Sequence, residues 1–191
     1  MQIKWTRKSL EEFLKGKNRT ITVEEYLLLI DFINKIRPET FIDIGTYLGA
    51  SGYILGTCCN SITKVVSVDN TLSQTYTPKE EATIEEHGKF LTKETIFITE
   101  GYENTLSNII TDSSHTFILW DAGKNTLKVM DQLKRSWDLK IRWIAFHDSG
   151  TEQATVRRAI KRAERFGWYK IVTEDIVSCP SKGVSILELI E

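Results

Sequence analysis

The sequence is short of several residue types and patterns, and each shortage excludes a class of protein. Its 191 residues include three cysteines, Cys58, Cys59 and Cys179, an odd number without metal-ligand spacing. Reduced thiols in a cytoplasmic protein are therefore the simple expectation. No apolar run approaches the roughly 18 residues that a membrane span requires. Basic and acidic residues nearly balance, at 25 and 26, and the net charge of −1 indicates neither a nucleic-acid nor a membrane binder.

The stretch from Thr40 to Ser51, TFIDIGTYLGAS, lacks two signatures of phosphate binding. A dinucleotide turn has a middle glycine, and Tyr47 stands there instead. A phosphate loop needs Gly-Lys-Ser or Gly-Lys-Thr after the turn, and neither follows. What remains is a predicted strand with Asp43 at its end, then Gly45 and Gly49, then a predicted helix. This pattern indicates either a cradle for a cationic or amine-bearing ligand or a plain strand-to-helix turn.

Strand and helix signals alternate along the rest of the chain. Predicted strands at 64–68, 95–99, 116–120 and 141–146 follow the first one, and two late strands at 168–172 and 184–190 have only a turn between them. Alternation implies parallel strands with helices on both faces. We therefore predict one α/β domain, a Rossmann-like doubly wound seven-stranded sheet, mostly parallel with a C-terminal antiparallel hairpin.

Helix starts and core faces are also predicted. Ser9 to Glu12 and Thr22 to Glu25 both have the S/T-x-x-E form of a capping box. Apolar spacing predicts that Leu127 and Phe166 face the core from two later helices.

Six residues stand at the carboxyl ends of the predicted strands, where ligands bind to parallel sheets. They are Asp43, Asp69, Gly101, Asp121, His147 and Asp148. Asp69, after the second strand, stands where such sheets hold ribose hydroxyls, although an Asp-Asn pair also suits an ordinary turn.

These motifs together resemble a class I S-adenosylmethionine-dependent methyltransferase over about residues 24 to 191. The matching segments are DIGTYLGAS (43–51), VSVDN (66–70), ITEG (98–101), ILWD (118–121) and AFHD (145–148). In detail the chain is similar to the small O-methyltransferase and cephalosporin-hydroxylase-like branch. It departs from that branch after Asp121, where Ala-Gly-Lys124 replaces the usual Gly-Asp-His.

The resemblance implies a set of cofactor contacts. Asp43 would accept from the amino group, Gly45 and Gly49 would face the methionine part, and Ser51 would cap the next helix or touch the methionine carboxylate. Asp69 would bind the ribose, Gly101 and Tyr102 would flank the adenine, and Asp121 would lie below the sulfonium. The full predicted set for S-adenosyl-L-methionine is Asp43, Gly45, Thr46, Gly49, Ser51, Asp69, Asn70, Gly101, Tyr102 and Asp121.

The predicted catalytic residues are His147, Asp121 and Lys124. Three roles stay open for His147: general base, additional metal ligand, or structural hydrogen bonding at a strand end. Asp121 and Asp148 are the predicted ligands of a Mg²⁺ ion that would activate an acceptor hydroxyl, unless the charge of Lys124 replaces the ion.

The sequence thus predicts a cytoplasmic methyltransferase acting on a small-molecule acceptor, through O-methylation. Residues 1–37 would form N-terminal helices covering the pocket, and residues 38–191 the Rossmann-like core. The alternatives are a catalytically inactive S-adenosylmethionine-binding protein and an NAD-type oxidoreductase. No nucleic-acid or membrane partner is expected, and a homodimer is left open.

Overall fold

The computed structural model describes residues 2–15, 21–45, 49–68, 94–98, 112–122, 125–150, 154–175 and 183–191. Its strands are β1 Thr40–Ile44, β2 Lys64–Val68, β3 Glu94–Ile98, β4 Thr116–Trp120, β5 Trp143–His147, β6 Tyr169–Asp175 and β7 Val184–Leu189. Its helices are α1 Arg7–Leu14, α2 Val23–Ile36, α3 Ala50–Cys58, α4 Thr126–Asp138 and α5 Ala154–Arg165.

The strands form one mixed sheet in the order β3-β2-β1-β4-β5-β7-β6. Strands β1 to β5 pair in parallel, whereas β7 runs antiparallel to both β5 and β6. Central strand β4 is buried at all five positions, as expected for a parallel strand covered on both faces. The predicted α/β class, the mostly parallel sheet and the C-terminal antiparallel pair are confirmed.

Two apolar cores lie on opposite faces of the sheet because side chains alternate along each strand. Phe41 and Phe117 point into the core that α1, α2 and α3 cover. Ile42 and Ile118 point into the core under α4 and α5. Consecutive residues thus serve both layers, and the predicted helices on both faces are confirmed.

Helix α2 begins at the predicted capping residue, whereas α1 begins at a different one. The Thr22 hydroxyl accepts from the backbone N–H of Glu25, and the Glu25 carboxylate accepts from the N–H of Thr22, which completes a capping box. In α1 the cap is Thr6, and Ser9 is the third helical residue that closes the box with it. The prediction of Ser9 as the cap was wrong because Thr6 offers the same hydroxyl chemistry one turn earlier.

Two predicted core residues are exposed. Leu127 lies in the first turn of α4 with 74% of its surface accessible, while Val129 and Leu133 are fully buried on that helix. Phe166 follows the end of α5 and is 62% accessible. Both predictions were wrong because periodicity was extended to helix ends, where the chain no longer follows the buried stripe. None of the helices in the described ranges has the length and apolar character needed to cross a bilayer.

Candidate active site

The carboxyl ends of β1, β4 and β5 lie side by side at one edge of the sheet. Their parallel registers pair Ile44 with Trp120, and Trp120 with Phe146. The backbone N–H of Asp121 donates to the carbonyl of Ile44 at 2.8 Å, which places the residue after β4 beside the end of β1. The residues predicted at the strand ends therefore meet at a common edge where the structure describes them.

The turn after β1 requires glycine for two independent reasons. Gly45 has φ +90°, a conformation that L side chains rarely adopt, and its N–H donates to the carbonyl of Val68 at 2.8 Å. A Cβ added at Gly45 would also lie 2.7 Å from the carbonyl carbon of Asp121. The glycine therefore lets the β1 turn and the end of β4 approach each other at the centre of the site.

Helix α3 begins at this turn without a side-chain cap. Gly49 is its N-cap residue, with φ +77° and no capping hydrogen bond from a side chain. The first backbone N–H groups of a helix have no partners within the helix. The start of α3 therefore offers backbone donors to polar ligand atoms.

His147 is the centre of a buried ionic cluster. Its Nδ1 forms a 2.8 Å hydrogen bond with Oδ1 of Asp121 and lies 3.7 Å from Oδ2 of Asp148. Its Nε2 lies 3.6 Å from Oε2 of Glu25, in the first turn of α2. The side chains of His147 and Glu25 are fully buried, and those of Asp121 and Asp148 are 9% and 7% exposed. One imidazole thus has three carboxylates around it.

The carboxylates decide the protonation of His147. Burial lowers the pKa of the imidazole, but its interactions with Asp121 and Glu25, assisted by the charge of Asp148, outweigh burial and raise the pKa to about 10. For Glu25, burial by itself raises the pKa of the carboxyl. The hydrogen bonds with His147 and with the Thr22 N–H outweigh the effect of burial, so that the pKa of Glu25 is lowered. At neutral pH His147 is therefore an imidazolium, which acts as a proton donor and as a fixed positive charge in this cluster.

Tyr26 joins the same cluster from α2. Its hydroxyl shares a 3.0 Å hydrogen bond with Oγ of Ser51 in α3. Burial raises the pKa of Tyr26 well above its usual range, and the carboxylates of Asp43, Asp121 and Glu25 raise it further. The hydroxyl of Tyr26 thus lies in the electrostatic field of Asp43, Asp121 and Glu25.

Three of these residues form a candidate cation site. Asp121, His147 and Asp148 each offer one ligand atom, and the three atoms lie within 4.8 Å of one another. Two carboxylate oxygens and an imidazole nitrogen suit a divalent cation, so the donor set fits Mg²⁺ or Mn²⁺. Asp148 also has φ +57°, an uncommon conformation outside glycine that concentrates at functional sites.

The structure thus brings together Asp43, Gly45, Asp121, His147 and Asp148, with Ser51 next to Tyr26. The other predicted site residues lie outside the described residues: Thr46, Asp69, Asn70, Gly101, Tyr102 and Lys124. The sequence did not indicate that Glu25 and Tyr26 belong to the site, and Glu25 was accounted for by the capping box alone. A glutamate inside an otherwise apolar helix face was the available signal.

Comparisons with known proteins relate this architecture to methyltransferases. No protein-family model matches the chain, and no curated protein sequence matches it. Solved structures do match. The SAH-bound methyltransferase PaMTH1 of Podospora anserina is 14% identical, with a TM-score of 0.69 over 97% of this chain and 88% of that one. An O-methyltransferase of Bacillus cereus, also in complex with SAH, is 14% identical, with a TM-score of 0.66 over 97% and 89%.

A third match is an rRNA methylase of Streptococcus thermophilus, 11% identical, with a TM-score of 0.60 over 91% of this chain and all of that one. These three proteins are similar to this chain along almost its whole length, at identities that reflect a common fold. The chain therefore shares the Rossmann-like fold of these solved methyltransferase structures.

Proposed function

We propose that this protein is an S-adenosylmethionine-dependent methyltransferase that methylates an oxygen of a small-molecule acceptor. The observation that carries the proposal is the acidic cluster beside the Gly45 turn, in a fold shared with SAH-bound methyltransferases. A carboxylate-rich edge attracts a sulfonium, whereas it repels the phosphates of a dinucleotide. S-adenosylmethionine would supply an activated methyl carbon: the acceptor oxygen would bond to it as the C–S bond breaks, the hydroxyl proton would pass to solvent, and S-adenosylhomocysteine would remain.

The proposed cofactor contacts keep the roles that the sequence indicated. Gly45 and Gly49 admit the methionine part at the start of α3, and Asp43 and Ser51 contact its polar ends. Thr46, Asp69, Asn70, Gly101 and Tyr102 complete the proposed contacts. Asp121 lies at the boundary between cofactor and acceptor. These residues contribute mainly by holding the two reactants in line, which lowers the entropic part of the barrier.

The proposed acceptor side consists of Asp121, His147, Asp148 and Lys124. With His147 protonated, its Nδ1–H orients Asp121 and its positive charge attracts the nearby carboxylate of Asp148, and those carboxylates face the acceptor. A divalent cation held by Asp121, Asp148 and a deprotonated His147 would lower the pKa of an acceptor hydroxyl. Lys124 would supply positive charge if no cation binds.

The acceptor class follows from charge. Asp43, Asp121, Asp148 and Glu25 give the cluster an excess of negative charge, which opposes a nucleic-acid backbone. A neutral or cationic small molecule with a hydroxyl fits better. We also propose that residues 1–37 cover this pocket, since α2 already contributes Glu25 to the cluster. We further propose that the protein is cytoplasmic, in keeping with Cys58 and Cys59, which are buried and not joined in a disulfide.

Calorimetry with S-adenosylmethionine, S-adenosylhomocysteine and NAD, followed by a methyl-transfer assay on hydroxylated small molecules, tests the proposal. We expect both adenosyl compounds to bind, NAD not to bind, and at least one acceptor to be methylated. Binding of NAD alone would contradict the function.

Replacement of Asp69 should show whether this residue binds the ribose of the cofactor or only forms an ordinary turn after the second strand. We expect Asp69→Ala to weaken S-adenosylhomocysteine binding roughly tenfold to a hundredfold, because hydrogen bonds to a charged acceptor are worth about 1.5–3 kcal/mol. Titration calorimetry measures the change. Asp138→Ala, which removes an exposed acid paired with Lys134, is the control and should bind as the wild type does. Equal affinity of all three proteins would show that the ribose site lies elsewhere.

The candidate cation site predicts selective loss of metal affinity. We expect Asp148→Asn to weaken Mn²⁺ binding about tenfold or more, because it removes one of the two carboxylate ligands found among the described residues. Electron paramagnetic resonance of free Mn²⁺ measures the affinity. Asp131→Asn, an exposed acid paired with Arg135, is the matched control. If wild type and Asp148→Asn take up Mn²⁺ equally, the cluster does not hold a cation.

A further inference from the structure

Glu25 is buried more completely than its place in a capping box requires. The box needs one carboxylate oxygen near the N–H of Thr22, and Oε2 accepts from that N–H at 2.6 Å. The whole side chain is nevertheless inaccessible to solvent, and Oε1 has no hydrogen-bond partner among the described residues. Burying a carboxylate in this way is costly. Helix capping alone therefore does not account for Glu25.

The other neighbour of Glu25 is the imidazole of His147. The ring has two distinct sides: Nδ1 faces Asp121 and Asp148, and Nε2 faces Oε2 of Glu25 at 3.6 Å. Nε2 is buried and has no partner within hydrogen-bond distance in the described part of the chain. The two orphaned atoms, Nε2 and Oε1 of Glu25, belong to the same pair of side chains. Nε2 is only slightly beyond hydrogen-bond distance from the Glu25 carboxylate, at 3.6 Å from Oε2.

We propose that Glu25 is the positioning residue of His147, holding the Nε2 edge of the imidazole so that Nδ1 stays directed at Asp121 and Asp148. An imidazole can rotate about its bond to Cβ, which puts a ring carbon in the place of each nitrogen, and a partner on one nitrogen determines which side the other faces. Carboxylates that hold the far nitrogen of a functional histidine act in this way in many sites. Through Glu25, the first turn of α2 sets the geometry at the end of β5.

This inference deepens the proposed function and rests on it for its catalytic meaning. The orientation of the ring can be measured in the protein without cofactor, acceptor or metal. A failure of methyl transfer and a failure of the positioning role are therefore distinguishable.

The test is a two-bond ¹H–¹⁵N spectrum of the histidine rings at pH 7, with His147 assigned through His147→Gln. We expect Glu25→Gln to shift the Nε2 resonance of His147, because the partner of that nitrogen loses its charge. Gln also serves in capping boxes, so the variant keeps the start of α2. The ring of His115, which is exposed and paired with Asp112, is the internal reference and should not shift.

Thr22→Ala is the matched control for the cap. It removes the hydroxyl that accepts from the Glu25 N–H and leaves the Glu25 carboxylate. We expect a lower midpoint of thermal unfolding with the His147 resonances unchanged. Unchanged His147 resonances in Glu25→Gln, or an equal shift in Thr22→Ala, would overturn the proposal. If Glu25→Gln does not fold, Glu25→Asp tests the same point, because its shorter side chain moves the carboxylate away from Nε2.

Discussion

Gly45→Ala is expected to lower the free energy of unfolding by about 2–5 kcal/mol. The backbone conformation at φ +90° costs an L residue roughly 1–2 kcal/mol, and forcing a methyl group into a filled space costs about 1–3 kcal/mol more. The added Cβ would meet the backbone of Asp121, which cannot rotate away as a side chain can. Urea unfolding measures the loss. The variant should also bind S-adenosylhomocysteine more weakly, since the turn forms part of the proposed cradle.

Gly167→Ala is the matched control for backbone strain. Gly167 has φ +70°, and a Cβ there would meet nothing within 4 Å. Only the conformational part of the cost applies, so we expect a loss of roughly 1–2 kcal/mol without an effect on binding. An equal loss of unfolding free energy in Gly45→Ala and Gly167→Ala would show that Gly45 does not pack tightly against the backbone of Asp121.

The second large effect concerns the pH dependence of stability. The pKa of His147 is raised from 6.5 to about 10 in the folded protein. Its stabilising contribution is complete below pH 6.5, where folded and unfolded states both hold the proton. The contribution falls as the pH rises from 6.5 through 10, because only the folded state still binds the proton in that range. We expect His147 to account for a loss on the order of 5 kcal/mol over this window.

Urea unfolding of wild type and His147→Gln at pH 6, 8 and 10, with a chelator present, measures this contribution. The stability difference between the two proteins should be largest at pH 6 and should shrink as the pH approaches 10. The chelator keeps divalent cations away from Nδ1. His115→Gln is the control, because His115 has a raised pKa through Asp112 but is exposed, where solvent screens the pair. A stability difference that stays constant from pH 6 to 10 would mean that His147 is neutral in the folded protein.

The protonation of His147 also bears on its catalytic role. An imidazole whose pKa is about 10 holds its proton at neutral pH and cannot act as a general base in this state. Its positive charge instead stabilises Asp121 and Asp148 as a pair of nearby carboxylates. A cation at Nδ1 would take the place of that proton. The pH profile of Mn²⁺ binding, compared between wild type and His147→Gln, distinguishes a ligand from a charge-balancing neighbour.

Local patterns in the sequence predicted much of the architecture. Alternating strand and helix signals predicted the mostly parallel sheet, and the absence of a helix between the last two strands predicted their antiparallel pairing. The Thr22 to Glu25 box predicted the start of α2. These features depend on residues a few positions apart, so a single sequence contains enough information to identify them. The rule that parallel strands present their carboxyl ends together then predicted that Asp121, His147 and Asp148 would meet.

The tertiary structure alone decided how the site is completed. Glu25 and Tyr26 occupy ordinary helix positions in the sequence, and only the packing of α2 over the end of β5 brings the Glu25 carboxylate within 3.6 Å of His147. The protonation of His147 depends on burial and on three carboxylates from separate segments. The close approach of Gly45 to Asp121 joins two strands that are distant in the chain. Spacing along a chain determines which side chains share a face of one element, whereas contacts between elements depend on the packing of the whole domain.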